Sequence, residues 1–371
     1  MGRRPLVMVD MLSYTGTKGG METYTRELYR QLSTMDTGFD FVALASKEGS
    51  LLDLSWFPGE VIRSRISGEN RFVWAFGELV ASSYVARRRR ADLVHSPATL
   101  GPVWTSMPAV LTIHDMLYWS HPELMVTPFY TRPVMWMERR GAANASHVIT
   151  DSQVSATEIE RYLGYPADRL HVVPLAATKV AAAPAPVLGR ENLVVASGQR
   201  RPYKNWDGLV RALALVEEGV RPRLVITGGR GDDPLRGVVD EAGLQDWVEL
   251  RGWVTDEELA DLYGRARAMA MPTFAEGFDL PVLEAMAAGL PVLASDIPVL
   301  REVGGDAALW FDPHDPASIA AALRVVGTQP ARLVELADLG RAQATLFTWQ
   351  RVAEETLEVF RQALCGPTPR S

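Results

Sequence analysis

The chain has 371 residues, and single hydrophobic cores stop growing near about 250 to 300 residues, so two domains are expected. The apolar fraction of 47% and the charged fraction of 22% exclude a disordered protein. The single cysteine, Cys365, excludes an intrachain disulfide and metal sites built from several thiolates, which fits a reducing cytoplasm.

The first element in chain order is an apolar run over residues 5–12. It is short and lacks a small-residue cleavage site, so it predicts a first β-strand rather than a signal peptide. Charged residues or prolines interrupt every longer apolar stretch before it reaches the about 18 residues of a membrane span. We therefore expect a chain that does not cross a membrane.

The basic residues of the first half are concentrated in one segment. Residues 1–186 carry 19 Lys and Arg against 18 Asp and Glu, whereas residues 187–371 carry 19 against 27. The excess lies between Arg63 and Arg90, and the segment contains these arginines and aromatic residues: Arg63, Arg65, Arg71, Phe72, Trp74, Phe76, Tyr84, Arg87, Arg88, Arg89 and Arg90. Two interpretations are open: peripheral contact with anionic lipid at the inner membrane face, or the solvated face of a surface helix.

Short β-branched runs alternate with helical stretches throughout the first half, which is typical of βαβ units and parallel sheets. The predicted strands are Leu6–Met11, Phe41–Ala45, Glu60–Ser64, Leu93–His95, Ala109–His114, Val148–Asp151 and Val172–Leu175. An Ala- and Pro-rich stretch over residues 178–190 has no apolar periodicity and predicts a linker.

The alternation of strands and helices restarts after this linker. The predicted strands are Leu193–Ser197, Arg223–Thr227, Val248–Leu250, Ala268–Met271, Pro291–Ser295 and Ala308–Phe311. The fold class is thus α/β, with two doubly wound Rossmann-like domains at 1–183 and 184–348 and a final helix at 349–371 that packs back on the first domain. Ligands of such sheets bind at the carboxyl ends of the strands, so a central cleft is the expected site.

Motifs of other doubly wound proteins are missing from the sequence. No G-x-G-x-x-G follows the first strand, and no G-x-x-x-x-G-K-[ST] occurs. A simple dinucleotide dehydrogenase and a P-loop nucleotidase are therefore not expected.

The segment 271–295 carries the most chemistry. A buried strand leads into a loop that holds Glu276, and Asp279 then stands before a helix with Pro281 in its first turn. Helix N-termini bind phosphate because unpaired backbone N–H groups and the helix dipole point at it. Glu284, one turn further, is placed to accept hydrogen bonds from ribose hydroxyls.

The two glutamates and their flanking residues resemble the E-x7-E signature of family 4 of the retaining glycosyltransferases, which have the GT-B fold. The resemblance covers nearly the whole chain and includes Gly19-Gly20, Ile113-His114-Asp115, Lys204-Asn205 and residues 250–254. It implies that Glu276 contacts the donor sugar and Glu284 the ribose. The sequence departs from the family at Asp279, where the family commonly has glycine. The Asp279 carboxylate is therefore expected either to bind a sugar hydroxyl or to cap the helix.

The resemblance also implies the other residues that bind the nucleotide-sugar donor. Lys204 follows a strand and opens a helix, so its ammonium can reach the diphosphate. The family often has an arginine directly after the preceding glycine, and here Gln199 is followed by Arg200 and Arg201. Either arginine can take that place, and Arg200 is the first assignment. The remaining implied donor contacts are Gly19, Gly20, Val254, Gly277, Phe278 and Leu280.

In the first domain, glycines between the first strand and an amphipathic helix predict a flexible loop that approaches the diphosphate. In the family the corresponding loop closes over donor and acceptor. His114 is expected to end a strand, and its match to the family's histidine implies a catalytic role at the donor sugar. Asp115 beside it is expected to orient the loop.

The resemblance implies a retaining hexosyltransferase that needs no cofactor and no metal, since no D-x-D motif is evident. GDP-mannose is the first donor to test, with UDP and dTDP sugars open, and the acceptor is a glycan, a lipid-linked sugar or a small molecule. We expect no nucleic-acid partner, and the oligomeric state is open. The alternatives are a pseudo-glycosyltransferase, a GT-B nucleotide-sugar epimerase, and a catalytically inactive sugar-nucleotide-binding protein.

Overall fold

The computed structural model describes residues 3–17, 19–125, 128–178 and 186–366. The chain divides into two compact units: unit 1 runs to Leu175 and resumes at Thr348, and unit 2 covers Ala176–Phe347. The boundary predicted between residues 183 and 184, with most of the predicted linker, falls in 179–185, outside the described residues.

Unit 1 is built on a parallel sheet. Its strands in the described residues are β1 (Leu6–Met11), β2 (Asp40–Ala45), β3 (Glu60–Arg63), β4 (Leu93–Ser96), β5 (Ala109–Thr112), β6 (His147–Thr150) and β7 (Leu170–Val172). Its helices before unit 2 are α1 (Gly20–Leu32), α2 (Arg71–Phe76), α3 (Ser82–Arg89), α4 (Leu117–Ser120), α5 (Pro128–Asn144) and α6 (Gln153–Leu163). The strand order is β3-β2-β1-β4-β5-β6-β7, so the winding direction reverses between β1 and β4.

Unit 2 repeats this architecture with fewer strands. Its described strands are β8 (Glu191–Ser197), β9 (Arg223–Gly229), β10 (Val248–Gly252), β11 (Ala266–Met271), β12 (Val292–Ser295) and β13 (Ala308–Phe311). Its helices are α7 (Trp206–Ala214), α8 (Leu235–Glu241), α9 (Asp256–Arg265), α10 (Leu280–Ala287), α11 (Pro298–Gly304), α12 (Pro316–Thr328) and α13 (Pro330–Ala344). The order is β10-β9-β8-β11-β12-β13, and the reversal lies between β8 and β11.

The predicted fold class of two Rossmann-like α/β domains is confirmed. Every predicted strand overlaps an observed one, because strands buried on both faces of a parallel sheet read as continuous apolar runs. Many predicted ends lie one to three residues from the observed ones, as two strands of unit 1 illustrate. β5 ends at Thr112 rather than His114, and β7 occupies Leu170–Val172 rather than Val172–Leu175.

The final helix, α14 (Trp349–Cys365), belongs to unit 1. Its Phe360 side chain is fully buried, with ring centroids 5.0 Å from His95 and 6.0 Å from Phe39. His95 is itself buried, and its Nδ1 lies 2.6 Å from the Tyr29 hydroxyl on α1. The helix thus completes the core that α1 and the sheet begin.

Among the described residues, no helix combines the length and the apolar composition that crossing a bilayer requires.

We predict that Phe360→Ala lowers the free energy of unfolding of unit 1 by about 3 to 5 kcal/mol, because it removes a buried ring and leaves a cavity. Urea unfolding followed by circular dichroism measures the loss. Arg361→Ala, on the exposed side of the same helix, is the control and should change stability by less than about 0.5 kcal/mol. A loss of under about 1 kcal/mol for Phe360→Ala would contradict the assignment of this helix to the core.

Candidate functional site

Two loops of unit 2 meet where the winding of its sheet reverses. β8 and β11 are neighbouring parallel strands, so the loops that follow them, residues 198–204 and 272–279, leave from the same edge of the sheet. Open α/β sheets bind ligands at this edge, next to the reversal. The sequence places its charged motif residues in these two loops.

A buried lysine joins the two loops. The Lys204 ammonium lies 2.7 Å from Glu276 Oε1 and 3.9 Å from Asp279 Oδ2. Burial lowers the pKa of Lys204, but the charges of Asp279 and Glu276 raise it by more, so its pKa lies above the ordinary value. Lys204 is therefore a permanent cation next to the start of α10.

Neighbouring polar contacts hold the lysine in place. Asn205 adopts the left-handed conformation at φ 54°, and its Nδ2 donates to the Pro272 carbonyl at 3.1 Å. The Thr273 hydroxyl lies 2.9 Å from the Tyr203 carbonyl oxygen and 2.8 Å from Glu276 Oε1. These bonds fix the loop after β8 against the loop after β11, so the charged groups are preorganised.

Asp279 is a buried carboxylate that does not cap the helix it precedes. Its φ is +74°, a left-handed conformation that favours glycine, and its side chain makes no capping hydrogen bond to α10. Neither carboxylate oxygen has a hydrogen-bond partner among the described residues, and the side chain is 0% exposed. Burial raises the pKa of Asp279 to about 7, against the lowering effect of Lys204. Of the two predicted roles, helix capping is thus not observed.

Glu284 lies one turn inside α10 and is half-buried. Its Oε1 accepts a hydrogen bond from the Thr178 hydroxyl. Phe278 and Leu280, on either side of Asp279, are buried, and the Phe278 ring meets Phe347 edge-on at 6.0 Å. The loop with Gly277 and Phe278 therefore has an apolar support beneath its polar groups.

Arg200 occupies a different position from the one expected for a diphosphate ligand. Its guanidinium donates to both oxygens of Asp233 and to the carbonyls of Gly198, Thr227 and Ile226, at 2.7 to 3.2 Å. Each of the three guanidinium nitrogens has an acceptor within unit 2, and the side chain is only 7% exposed. In the described conformation Arg200 supports the loop rather than facing a ligand.

Two further residues of unit 2 can reach the same edge of the sheet. Arg201, next to Arg200, is exposed, and its Nε lies 3.3 Å from Gln199 Oε1. Val254 follows β10 and is half-buried, and the neighbouring Trp253 is exposed. Arg201 and the backbone at Val254 thus lie in loops that follow parallel strands of the same sheet.

In unit 1, the glycine-containing loop lies between β1 and α1. Gly19 takes φ 68° and ψ −129°, a conformation open essentially to glycine only, and Gly20 begins α1. Glu22 Oε1 accepts hydrogen bonds from the Gly16 N–H at 3.0 Å and the Thr15 N–H at 2.5 Å. The loop is thus braced by a buried glutamate, and Lys18 within it lies outside the described residues.

His114 follows β5 and is held at both ring nitrogens. Nδ1 lies 2.7 Å from Asp151 Oδ2, and Nε2 lies 3.1 Å from the Pro97 carbonyl oxygen. Burial lowers the pKa of His114, but the Asp151 charge and these two hydrogen bonds raise it by more, and the net pKa is raised. A hydrogen bond from this ring to a donor sugar would require Nε2 to leave Pro97. Asp115 orients the following loop, since Oδ1 accepts from the Leu117 N–H at 3.0 Å.

Several residues of these clusters were missed by sequence reasoning. Asp151, Glu22, Thr178 and Thr273 each bond a predicted residue or its loop. Asp151 had a recognisable signal, because it follows the strand next to that of His114. Thr178 had none, since 106 residues separate it from Glu284.

Comparisons with known proteins agree with the two-domain assignment along the sequence. A family model described as Glycosyltransferase Family 4 matches residues 18–177, and one described as Glycosyl transferases group 1 matches residues 183–342. A solved structure of sucrose-phosphate synthase from Thermosynechococcus elongatus matches with a TM-score of 0.80 over 98% of this chain and 100% of that one. The identity is 20%, so this match supports the fold alone.

Two bacterial relatives are similar in sequence as well. The O-antigen chain mannosyltransferase B of Escherichia coli is 35% identical over 272 residues, which are 68% of this chain and 70% of that protein. The MMP alpha-(1->4)-mannosyltransferase of Mycolicibacterium hassiacum is 30% identical over 308 residues, 78% of this chain and 75% of that protein. The chain therefore belongs to family 4 of the glycosyltransferases, has their GT-B type of fold, and is related to bacterial mannosyltransferases.

Proposed function

We propose that the chain transfers a hexose, with retention at the anomeric carbon, from a nucleotide-diphosphate sugar to an acceptor hydroxyl. The observation that carries this proposal is the buried cluster of Lys204, Glu276 and Asp279 at the start of α10. A permanent cation beside a helix N-terminus suits a diphosphate, and the neighbouring carboxylates suit sugar hydroxyls. Glu284 accepts a hydroxyl hydrogen bond already, from Thr178, which supports its role toward ribose.

GDP-mannose is the proposed donor, and the names of the two relatives support it, since both are mannosyltransferases. A glycan, a lipid-linked sugar and a small molecule stay open as acceptors. A pseudo-glycosyltransferase would join a cyclitol instead of a sugar. An epimerase would release sugar isomers without transfer, so product analysis separates the alternatives.

For the chemical step we propose substitution on the front face of the sugar. The acceptor oxygen bonds to the anomeric carbon as the bond to the diphosphate breaks, and the acceptor proton passes to the departing phosphate oxygen. Lys204 and the N-terminus of α10 stabilise the developing negative charge. No protein base is then needed, and a covalent adduct trapped on Glu276 would overturn this mechanism.

Residues of both units contribute roles in this proposal. In unit 1 we assign donor contacts to Gly19 and Gly20 and an electrostatic role to His114, whose charge is balanced by Asp151. In unit 2 we transfer the arginine contact with the diphosphate from Arg200 to Arg201, because Arg201 is exposed and lacks the buried partners of its neighbour.

We predict that Lys204→Met lowers kcat for transfer by about 10²-fold or more, because charge stabilisation at the leaving group is lost. Nucleotide release from the donor measures the rate. Lys47→Met, which removes an exposed lysine in unit 1, is the matched control and should keep the rate. A Lys204→Met protein with an unchanged melting temperature and an unchanged rate would exclude the proposed role.

We predict that Asp279 makes donor binding pH-dependent. Its carboxyl has a pKa of about 7, raised by burial, so it is protonated below that pH and negative above it. A negative carboxylate repels the diphosphate, and donor affinity should therefore fall as the pH rises through about 7. Calorimetric titration with GDP-mannose between pH 5.5 and 8.5 tests this expectation, because its diphosphate lacks the terminal phosphate group of GDP, which itself titrates near about pH 6. Asp279→Asn should remove the dependence, and an identical slope in both proteins would contradict it.

We predict that Asp279 also influences donor choice. Its oxygens have no hydrogen-bond partner among the described residues, so a sugar hydroxyl is a suitable ligand. Asp279→Gly should change the ratio of rates between GDP-mannose and other nucleotide sugars by about tenfold. The same relative rates in both proteins would show that the carboxylate has no part in donor recognition.

We predict that transfer needs no divalent metal ion. A panel of GDP, UDP and dTDP sugars, scored for nucleotide release and for a glycosylated product, should give similar rates with and without EDTA, within about twofold. If EDTA strongly lowers the rate and added magnesium or manganese restores it, transfer depends on a metal ion. The donor assignment would then be judged separately, from the relative rates across the panel.

A further inference from the structure

Unit 1 carries an apolar strip on its surface. It lies on the helical segment formed by α2, the π turn Gly77–Ala81 and α3. The strip consists of four side chains spaced four residues apart, with exposed fractions of 88% for Phe72, 67% for Phe76, 47% for Val80 and 57% for Tyr84. Single exposed apolar residues are ordinary on soluble proteins, whereas a contiguous row of large ones marks an interaction site.

The π turn keeps the strip on one side of the helix. An α-helix has 3.6 residues per turn, so side chains four apart rotate by about 40° at each step and the strip would wind by about 120°. A π turn has a wider repeat, and this one lies in the middle of the strip, between Phe76 and Tyr84. It therefore reverses part of that rotation.

The opposite face of the segment is packed into unit 1. Trp74 is half-buried, and its indole donates to Glu78 Oε1 at 2.6 Å, as expected for a residue two positions from Phe72 and from Phe76 on a helix. Glu78 is 1% exposed, and Ala86 belongs to the core cluster around β1. The segment is thus fixed to the domain from one side, and the apolar strip is its outer side.

Basic side chains adjoin the apolar strip. Arg87, Arg88 and Arg90 are exposed, and within the described residues no carboxylate lies in ion-pair range of them, whereas Arg89 pairs with Glu60 at 2.7 Å. Residues 63–90 hold seven arginines and two glutamates, a net charge of 7 − 2 = +5 in a chain of net charge −7. Four of these seven arginines, residues 87–90, follow Tyr84 closely in sequence, so the positive charge of the segment is concentrated at the end of the apolar strip.

We propose that this surface binds an anionic lipid membrane. The apolar strip enters the boundary between headgroups and acyl chains, and the arginines at its end pair with lipid phosphates. Charge complementarity selects this partner. Paired contact with a second copy would cover the strip but leave the arginines at its end without an anionic partner, and nucleic acid would leave the strip without an apolar partner.

This inference goes beyond glycosyl transfer and is tested separately from it. The full chain is mixed with vesicles of phosphatidylcholine alone and of phosphatidylcholine with about 30% phosphatidylglycerol, and the bound fraction is measured by sedimentation. We expect binding to the anionic vesicles only, and a decrease in binding as the salt concentration rises. Neither donor nor acceptor is present, so a wrong proposal about transfer does not affect the result.

Two double variants separate the apolar and the charged contributions. Phe72→Ser with Phe76→Ser, and Arg87→Glu with Arg88→Glu, should each lower the vesicle partition coefficient by about tenfold or more. These side chains are exposed, so the melting temperature should not change. The matched apolar control is Leu188→Ser with Leu215→Ser, which removes exposed leucines from unit 2 and should keep binding.

Three results would overturn the proposal. The first is no binding to either vesicle type, and the second is equal binding by the parent chain and both variants. The third is weak vesicle binding together with binding of a mixed-sequence oligonucleotide, if the Arg87 and Arg88 substitutions abolish the latter. That result would assign the surface to nucleic acid. An unchanged melting temperature in all variants confirms that each remains folded.

Discussion

The contact between the Lys204 ammonium and the Glu276 carboxylate is the interaction on which the candidate site depends. It joins loops that are about 70 residues apart in sequence, and only the adjacency of β8 and β11 brings them together. Each charge is buried, and a buried charge is stable only when it is paired. The ion pair between Lys204 and Glu276 therefore joins the two loops of the site and also contributes to the stability of unit 2.

Much of the fold was predictable from the sequence because burial in a parallel sheet leaves a strong local signal. All the predicted strands are present among the described residues, with ends displaced by a few residues. Lys204, Glu276 and Asp279 were predicted together for the same reason, since each follows an apolar run that had to be a strand. Strand ends are less predictable, because tertiary hydrogen bonds decide where pairing stops: β5 ends before His114.

Side-chain partners were less predictable, because they depend on residues distant in sequence. Arg200 was assigned to a ligand, yet Asp233 and three carbonyls of the neighbouring strand and loop accept its hydrogen bonds. His114 was expected to act at the donor sugar, yet Asp151 and Pro97 hold both ring nitrogens. In each case a single sequence gives the donor group but not the competing acceptor inside the protein.

The hydrogen bond from Thr178 to Glu284 has a consequence for nucleotide binding. A ribose whose two hydroxyls use both oxygens of Glu284 under the proposed function competes with the Thr178 hydroxyl for Oε1. Nucleotide affinity is then lowered by the free energy of the internal bond, and binding releases Thr178 from Glu284. Thr178 thus acts as an internal competitor, and the occupancy of the nucleotide site and the freedom of this residue are thermodynamically linked.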